Sequence, residues 1–124
     1  MNLKQGGKIE KLPIEIEKII QTFVNKINKL LGKRIKKIIL YGSYARGDYK
    51  KNSDIDIMIL TDLNDNELVQ YRDKVFEMAY DIEFNNDFKV TLSPLLKNIN
   101  KYNERINVVP FYSNIQKEGI IING

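Results

Sequence analysis

The sequence predicts a single α/β domain, because segments with helical and strand periodicity alternate along a chain too short for two hydrophobic cores. Its 124 residues match the size of one ordinary domain. We find no internal repeat, long linker or low-complexity segment in the sequence. We therefore expect one domain over residues 14–124, preceded by a flexible lead-in at residues 1–13 that contains a Gly-Gly pair and Pro13.

Three segments are predicted to be helices, since their apolar side chains recur every three to four residues between recognisable end signals. They are residues 14–31 before Gly32, residues 65–80 with the capping-box pair Asn64 and Glu67, and a short helix from Pro110 to Gly119. The Asn- and Lys-rich residues that precede the last helix are predicted to form a connection.

Strands are predicted where β-branched residues cluster or alternate with polar ones. They are Ile35 to Tyr41, the alternating segment that begins at Asp54, Phe88 to Leu95, and a terminal strand at Ile120–Ile122. In the alternating strand, Asp54 and Asp56 lie on one face and the isoleucines on the other. Two carboxylates on one face of a strongly apolar strand are unusual, which makes this strand a candidate for a functional role.

The composition excludes several kinds of chemistry. The chain has no His and no Cys, which rules out a Ser-His-Asp triad, a thiol nucleophile, a disulfide framework and a zinc site of His or Cys ligands. A bound metal would need oxygen ligands, which favours magnesium, manganese or calcium. No apolar run approaches the ~18 residues of a membrane span, and the polar start does not suit a signal peptide, so we expect a cytoplasmic protein.

The charges are divided unevenly along the chain. Residues 1–50 carry 12 basic and 4 acidic groups, whereas residues 51–124 carry 8 basic and 12 acidic groups. A basic half suggests a polyanionic partner, either a nucleic acid or a nucleotide phosphate, and a general composition bias explains it equally well. Direct nucleic-acid binding is the weaker interpretation, because no helix-turn-helix, RNA-recognition aromatic pattern or zinc finger is visible.

One segment combines residues that suit phosphate and metal chemistry. Gly42 follows a predicted buried strand and lets the backbone approach a ligand closely, and Ser43 offers a hydroxyl and a backbone N–H at the start of a short helix. Arg46 could pair with phosphate oxygens or with a carboxylate. Asp54 and Asp56 repel each other, and a divalent cation would relieve that repulsion. A phosphate-binding turn beside such a pair suits metal-assisted nucleotidyl transfer.

Each of these elements has an ordinary explanation when it is taken alone. A Gly-Ser pair is most often a turn, Arg46 a surface charge, the two aspartates a guard against strand-edge aggregation, and Ser53 the cap of a turn. Their order and spacing together favour the functional interpretation.

The segment GSYARGDYKKNSDIDI resembles the signature of the polymerase-β-type nucleotidyltransferases, and within them the minimal, MNT-type enzymes. The similarity extends over residues 14–122, including Ser93-Pro94 and PFYSNIQKEGI at 110–120. It implies a small mixed β-sheet flanked by helices, with ATP or another nucleoside triphosphate bound through magnesium, normally two ions, or through manganese.

The resemblance also assigns roles to individual residues. Gly42 and Ser43 would hold the β- and γ-phosphates, with Arg46 and Ser53 as further nucleotide-binding residues. Asp54 and Asp56 would be the catalytic residues and the metal ligands. The family's third carboxylate falls on Thr91 in this sequence. Asp81, Glu83 and Asp87 are nearby in the sequence and could substitute for it, although their ordinary explanation, a charge at a helix end or in a loop, is favoured.

The resemblance implies transfer of AMP from ATP to an acceptor hydroxyl. Small family members often form the antitoxin half of a pair with a helical HEPN-type ribonuclease toxin, whose tyrosine is the implied acceptor. This chain has no room for an acceptor domain of its own, so another protein or a homodimer must supply the acceptor. The alternative function is a non-catalytic antitoxin that neutralises such a toxin by binding, which the Thr91 position favours.

Overall fold

The protein contains a mixed five-stranded sheet with helices on both faces. The computed structural model describes residues 2–4 and 12–123. Its strands are β1 (Asn2–Lys4), β2 (Ile35–Tyr41), β3 (Asp54–Thr61), β4 (Thr91–Asn98) and β5 (Ile120–Asn123). Their order across the sheet is β1-β5-β2-β3-β4, and only β3 and β4 run parallel. The predicted α/β class is therefore confirmed, and the sheet is mixed.

Within residues 2–4 and 12–123, five helices connect or flank these strands. They are α1 (Ile14–Leu31), α2 (Ser43–Arg46), α3 (Asp65–Asn85), α4 (Ile99–Arg105) and α5 (Pro110–Glu118), with a 3-10 turn at Gly32–Arg34. The predicted bounds of α1 are confirmed, as is the capping box of α3, in which the Asn64 side chain accepts from the Glu67 N–H at 2.9 Å. Among the helices in the described ranges, none has the length and apolarity needed to span a membrane.

The side chains of β3 divide the core into two layers. Ile55, Ile57 and Ile59 are fully buried in the larger layer, which α1 and α3 cover. Met58 and Leu60 point to the opposite face and pack with residues of α4 and α5. Asp54 and Asp56 share the face of Met58. The alternation of the sequence therefore places both carboxylates on the side of the sheet that carries α5.

Two predicted boundaries were wrong. Helix α3 continues to Asn85 instead of ending at residue 80, because Ile82 extends its buried face against the core. The third predicted strand, Phe88 to Leu95, is instead β4 at Thr91–Asn98. Pro94 lies inside this strand, where it is tolerated because β4 forms the edge of the sheet and a missing N–H there costs no ladder bond.

The predicted connection after β4 contains a helix, α4. Its first turn is capped by Asn98, whose side-chain oxygen accepts from the N–H groups of Asn100 and Lys101 at 2.9 and 3.1 Å. Tyr102 anchors the helix in the smaller layer. Asn98 is thus an N-cap. This signal is hard to recognise in the sequence because other Asn residues lie close to it.

The predictions at the two ends of the chain have different outcomes. The short helix at Pro110 and the terminal strand after Gly119 are confirmed as α5 and β5. Within the predicted lead-in, Asn2–Lys4 forms β1 and pairs with β5, and Leu12 is buried. The rest of the lead-in, residue 1 and residues 5–11, lies outside the described residues.

Candidate active site

Gly42 makes the sharp turn between β2 and α2. Its φ of 79° lies in the left-handed region, which a side chain disfavours. Its carbonyl oxygen accepts from the N–H groups of Ala45 and Arg46 at 3.1 and 3.0 Å, which closes the short helix. A Cβ at this position would collide with the Asp56 carboxylate, whose Cγ would lie at only 3.2 Å. Conformation and space therefore both require glycine here.

The first and last residues of α2 lie beside the same turn. Ser43 begins the helix, so its N–H belongs to the first turn, whose donors have no partner within a helix. Gly47 ends it with a φ of 89°, and its N–H donates to the Ser43 carbonyl oxygen at 2.9 Å. The turn thus presents a hydroxyl and backbone donors on the side where Asp56 lies.

The two carboxylates lie next to this turn because β2 and β3 are antiparallel neighbours. Tyr41, the last residue of β2, is the register partner of Asp56. Burial and, to a smaller extent, the nearby charge of Asp54 raise the pKa of Asp56 to about 6, against the opposing effect of the Arg46 charge. Burial, with the charge of Asp56, also raises the pKa of Tyr41. Arg46 therefore compensates the negative charge of the pair only in part.

Arg46 forms ion pairs with Asp48 and Glu118 instead of pointing at the carboxylates of Asp54 and Asp56. Its Nε lies 3.2 Å from Asp48, and its Nη1 lies 3.1 Å from Glu118 on α5. These contacts join the loop after α2 to the last turn of α5. They hold the guanidinium at the edge of the site, where its charge still acts on Asp56.

Ser53 closes the turn before β3. Its hydroxyl oxygen accepts from the Lys50 N–H at 2.7 Å, and its own N–H donates to the Lys50 carbonyl oxygen at 3.1 Å. Ser53 therefore caps the turn, as its ordinary explanation holds, and it does so with its hydroxyl oxygen as the acceptor. The hydroxyl proton is not used in this turn and remains available to a ligand.

One cavity of about 710 Å³ brings all the sequence-predicted residues together. Its lining includes Gly42, Ser43, Arg46, Ser53, Asp54 and Asp56. The volume lies within the usual range of small-molecule sites. The residues predicted to bind phosphate and the paired carboxylates thus line a single cavity.

The sequence did not reveal the wall that α5 contributes. Phe111, Asn114 and Glu118 line the same cavity. Phe111 is partly exposed and packs edge-on against Tyr41, with ring centroids 5.7 Å apart. The helix itself was predicted, but its place beside the carboxylates follows from the pairing of β5 with β2, which is a long-range contact.

Among the described residues, no third carboxylate completes a metal-binding group with Asp54 and Asp56, and Glu118, which lines the same cavity, pairs with Arg46. Thr91 and Ser93 are the register partners of Asp54 and Asp56 on the parallel strand β4, so hydroxyls occupy the neighbouring positions. No group of three or more acidic, His or Cys side chains that could hold a metal occurs among residues 2–4 and 12–123.

The three acidic candidates to replace that carboxylate are all engaged or placed elsewhere. Glu83 accepts from the Leu92 N–H at 2.8 Å and fastens α3 to β4. Asp81 lines a separate surface cavity on α3, and Asp87 lies in the turn that follows that helix. None of the three lines the active-site cavity, which favours their ordinary explanation as helix-end and loop charges.

Comparisons with known proteins agree with this site. The family model described as a nucleotidyltransferase domain matches residues 16–122. A Methanocaldococcus jannaschii protein named "Putative protein adenylyltransferase" is 35% identical over 106 residues, which cover 86% of this chain and 96% of the relative. A second protein of that name and organism is 31% identical over 83 residues, covering 67% of this chain and 80% of the relative.

A solved structure, of the toxin-antitoxin MntA-HpeT, is 17% identical with a TM-score of 0.48 and covers 82% of this chain and 70% of its own. The family match extends over the strands and turns that build the cavity. The chain belongs to the nucleotidyltransferase domain family and is a nucleotidyltransferase.

Proposed function

We propose that the protein transfers AMP from magnesium-bound ATP to a hydroxyl group of a partner protein. The observation that carries this proposal is the position of the Asp54–Asp56 pair directly against the Gly42–Ser43 turn within one cavity. Nucleotidyl transfer needs phosphate binding and metal ligation a few ångströms apart, and this arrangement supports both.

The donor atoms of the site suit magnesium. The carboxylates of Asp54 and Asp56 are hard oxygen ligands. Burial and the charge of Asp54 raise the pKa of Asp56, and a divalent cation would offset the repulsion between the two carboxylates. We propose that these residues hold two ions, which manganese can replace. Bound magnesium would neutralise charge on the triphosphate and orient it for in-line displacement.

The residues of the chain position the reactants. Gly42 and Ser43 hold the β- and γ-phosphates through backbone N–H groups and the hydroxyl, and Ser53 donates its hydroxyl proton from the facing turn. Arg46 contributes positive charge at the edge of the cavity. The acceptor oxygen then bonds to the α-phosphorus as the bond to pyrophosphate breaks, and the acceptor proton is released.

The wall formed by α5 is the best candidate to hold the base. Phe111 offers an aromatic face on which a purine can stack, and Asn114 offers both a donor and an acceptor for the base edge. The choice of ATP is supported by the names of the M. jannaschii relatives, which specify adenylyl transfer.

The acceptor is proposed to be a separate protein. The same relatives are named as adenylyltransferases of proteins. We propose a helical HEPN-type toxin, with a tyrosine hydroxyl as acceptor, on the basis of the MNT-type signature at residues 42–57.

A second candidate function is neutralisation of such a partner by binding alone. The observation that favours it is the presence of Thr91 and Ser93 where a third carboxylate would assist the acceptor hydroxyl. A hydroxyl at these positions cannot serve as a base or as a bridging ligand.

The two candidates differ in what happens to the partner. The protein encoded beside this one should be incubated with ATP and magnesium, with either wild type or an Asp54→Asn/Asp56→Asn variant, and its intact mass measured. A gain of one AMP moiety with wild type alone supports transfer. An unmodified partner that the variant still neutralises supports binding alone.

A further inference from the structure

Helix α3 carries a row of exposed aromatic rings that the active site does not use. Phe76, Tyr80 and Phe84 follow one another at four-residue spacing, so they lie on one face of the helix. Phe88 follows in the turn after the helix. Their exposed fractions are 47%, 57%, 62% and 54%, respectively. Large side chains at this level of exposure contribute little to the core.

The rings form a continuous surface, which we call the aromatic surface. The ring of Phe88 lies 5.7 Å from that of Tyr80 and 5.9 Å from that of Phe84, between centroids. A clustered apolar patch of this kind is typical of interaction sites, whereas scattered exposed apolar residues are not. Aromatic residues are also the side chains that most often dominate binding energy.

The backbone is strained where it places Phe88 in this cluster. Asp87 and Phe88 have φ values of 55° and 54°, which bulky non-glycine residues rarely adopt. The Phe88 N–H donates to the Glu83 carbonyl oxygen at 2.8 Å and fixes the turn. Strain that holds an aromatic ring at the surface points to a use for that ring outside the fold.

A row of carboxylates runs beside the rings. Asp73, Glu77 and Asp81 share the four-residue spacing, offset by three residues from the aromatic row. Together with Phe76 and Tyr80 they line a surface cavity of about 480 Å³, in which no basic residue is found. An occupant of this surface must therefore combine apolar side chains with positive charge.

We propose that the aromatic surface docks a partner-protein segment that presents apolar side chains flanked by Lys or Arg. A symmetric pair of copies of this chain fits less well, because it would place one carboxylate row against the other. The α3 helix covers the sheet face opposite to Asp54 and Asp56, so a docked segment leaves the active-site cavity open. The proposal rests on the proposed function only for identifying this partner as the acceptor.

The test uses two synthetic helical peptides that differ only in charge. Both carry leucines on one face, and the other face carries lysines in the first peptide and glutamates in the second. Binding to the full chain is followed by isotope-edited NMR without nucleotide. The lysine peptide should bind and shift the signals of α3, and the glutamate peptide should not.

Variants connect this binding to the aromatic surface. Tyr80→Ser/Phe84→Ser should weaken binding of the lysine peptide at least tenfold with charge unchanged. Val108→Ser is the matched control, since Val108 is exposed in the loop after α4, and it should bind as wild type. If the aromatic variant does not fold, Asp73→Lys/Glu77→Lys should reverse the preference between the peptides.

Equal binding of the two peptides, or unchanged binding by the folded aromatic variant, would overturn the proposal. So would a wild-type dimer in sedimentation that the Phe84→Ser variant dissociates, because a second copy would then occupy the surface. The Asp54→Asn/Asp56→Asn variant should bind the lysine peptide as wild type does. Failure of docking and failure of AMP transfer are therefore observed separately.

Discussion

The carboxylate of Asp56 lies against the backbone of Gly42, so that even a methyl group on Gly42 would overlap it. This contact joins the turn that we propose to bind phosphate to the proposed metal ligands. It exists because Tyr41 and Asp56 are register partners on antiparallel strands, and the chain turns immediately after Tyr41. The separation between the two halves of the site is thus set by the sheet rather than by flexible loops.

Replacing Gly42 should therefore damage the site more than the fold. Gly42→Ala should abolish the increase in melting temperature that magnesium-ATP gives to wild type, because the new Cβ displaces the Asp56 carboxylate. It should also lower the free energy of unfolding by about 1–2 kcal/mol, since alanine disfavours positive φ. Thermal melts with and without magnesium-ATP measure the first effect, and urea unfolding measures the second.

Gly47→Ala is the matched control for this substitution. Gly47 also has a positive φ, but a Cβ there would meet no atom within 4 Å. It should lower the stability by a similar amount and leave the response to magnesium-ATP intact. An equal loss of that response in both variants would contradict the role of the Gly42–Asp56 contact.

The raised pKa of Asp56 predicts the pH dependence of stability in EDTA. The pKa of Asp56 is about 6 in the folded state, whereas the ordinary pKa of an aspartate is 3.8. In this pH interval the folded state binds more protons than the unfolded chain, so the free energy of unfolding should fall as the pH rises. Because the carboxylate is partly exposed, we expect a fall of about 1 kcal/mol.

Asp56→Asn has no such group to titrate, so it should lack this fall. Urea unfolding of both proteins across that pH interval, in EDTA, measures the difference. If the free energies of unfolding of wild type and Asp56→Asn changed with pH in the same way, the ionised Asp56 carboxylate would not be destabilised in the folded state.

Arg46 should affect nucleotide binding more than stability. Arg46→Ala should raise the KM for ATP about tenfold, which corresponds to about 1.4 kcal/mol of lost interaction. Its ion pairs with Asp48 and Glu118 are largely exposed, so the stability should change by less than about 1 kcal/mol. Steady-state kinetics and urea unfolding separate the two effects.

Arg34→Ala provides the comparison for Arg46→Ala. Arg34 contacts Asp62 and Glu67, which do not line the active-site cavity. It should leave the KM for ATP unchanged. An unchanged KM in Arg46→Ala as well would remove Arg46 from the nucleotide site.

Thr91→Asp should restore a third carboxylate beside Asp54, its register partner. Without metal, like charges on neighbouring strands should lower the free energy of unfolding by up to about 1 kcal/mol. With manganese, the melting temperature should rise more than that of wild type, because three carboxylates ligate the ion. Thr91→Asn is the neutral control, and a manganese response no larger than that of wild type would show that this position does not reach the metal.

The sequence predicted those parts of the fold and site that local patterns determine. The bounds of α1, the capping box of α3 and the two faces of β3 follow from periodicity and end signals, and residues 42–56 contain both halves of the site. The Asp54 and Asp56 positions could be found because charged residues on a buried strand contradict its apolar pattern.

The remaining features depend on contacts between distant segments. Pro94 was interpreted as the end of a strand. A proline is tolerated inside β4 because β4 is an edge strand, and only the sheet topology reveals that position. The Glu83 carboxylate is held in place by a hydrogen bond from the Leu92 N–H, across the α3–β4 turn. Phe111 reaches the cavity through the pairing of β5 with β2. None of these contacts has a local signature in the sequence.

The most direct test of the account is the position of the label that the partner acquires from ATP. Wild type should be incubated with magnesium and the protein encoded beside it, using ATP labelled at either the α- or the γ-phosphate. The account predicts that the partner gains the α-label and not the γ-label, and that Asp54→Asn/Asp56→Asn gives neither. Gain of the γ-label, or α-labelling by the double variant, would contradict it.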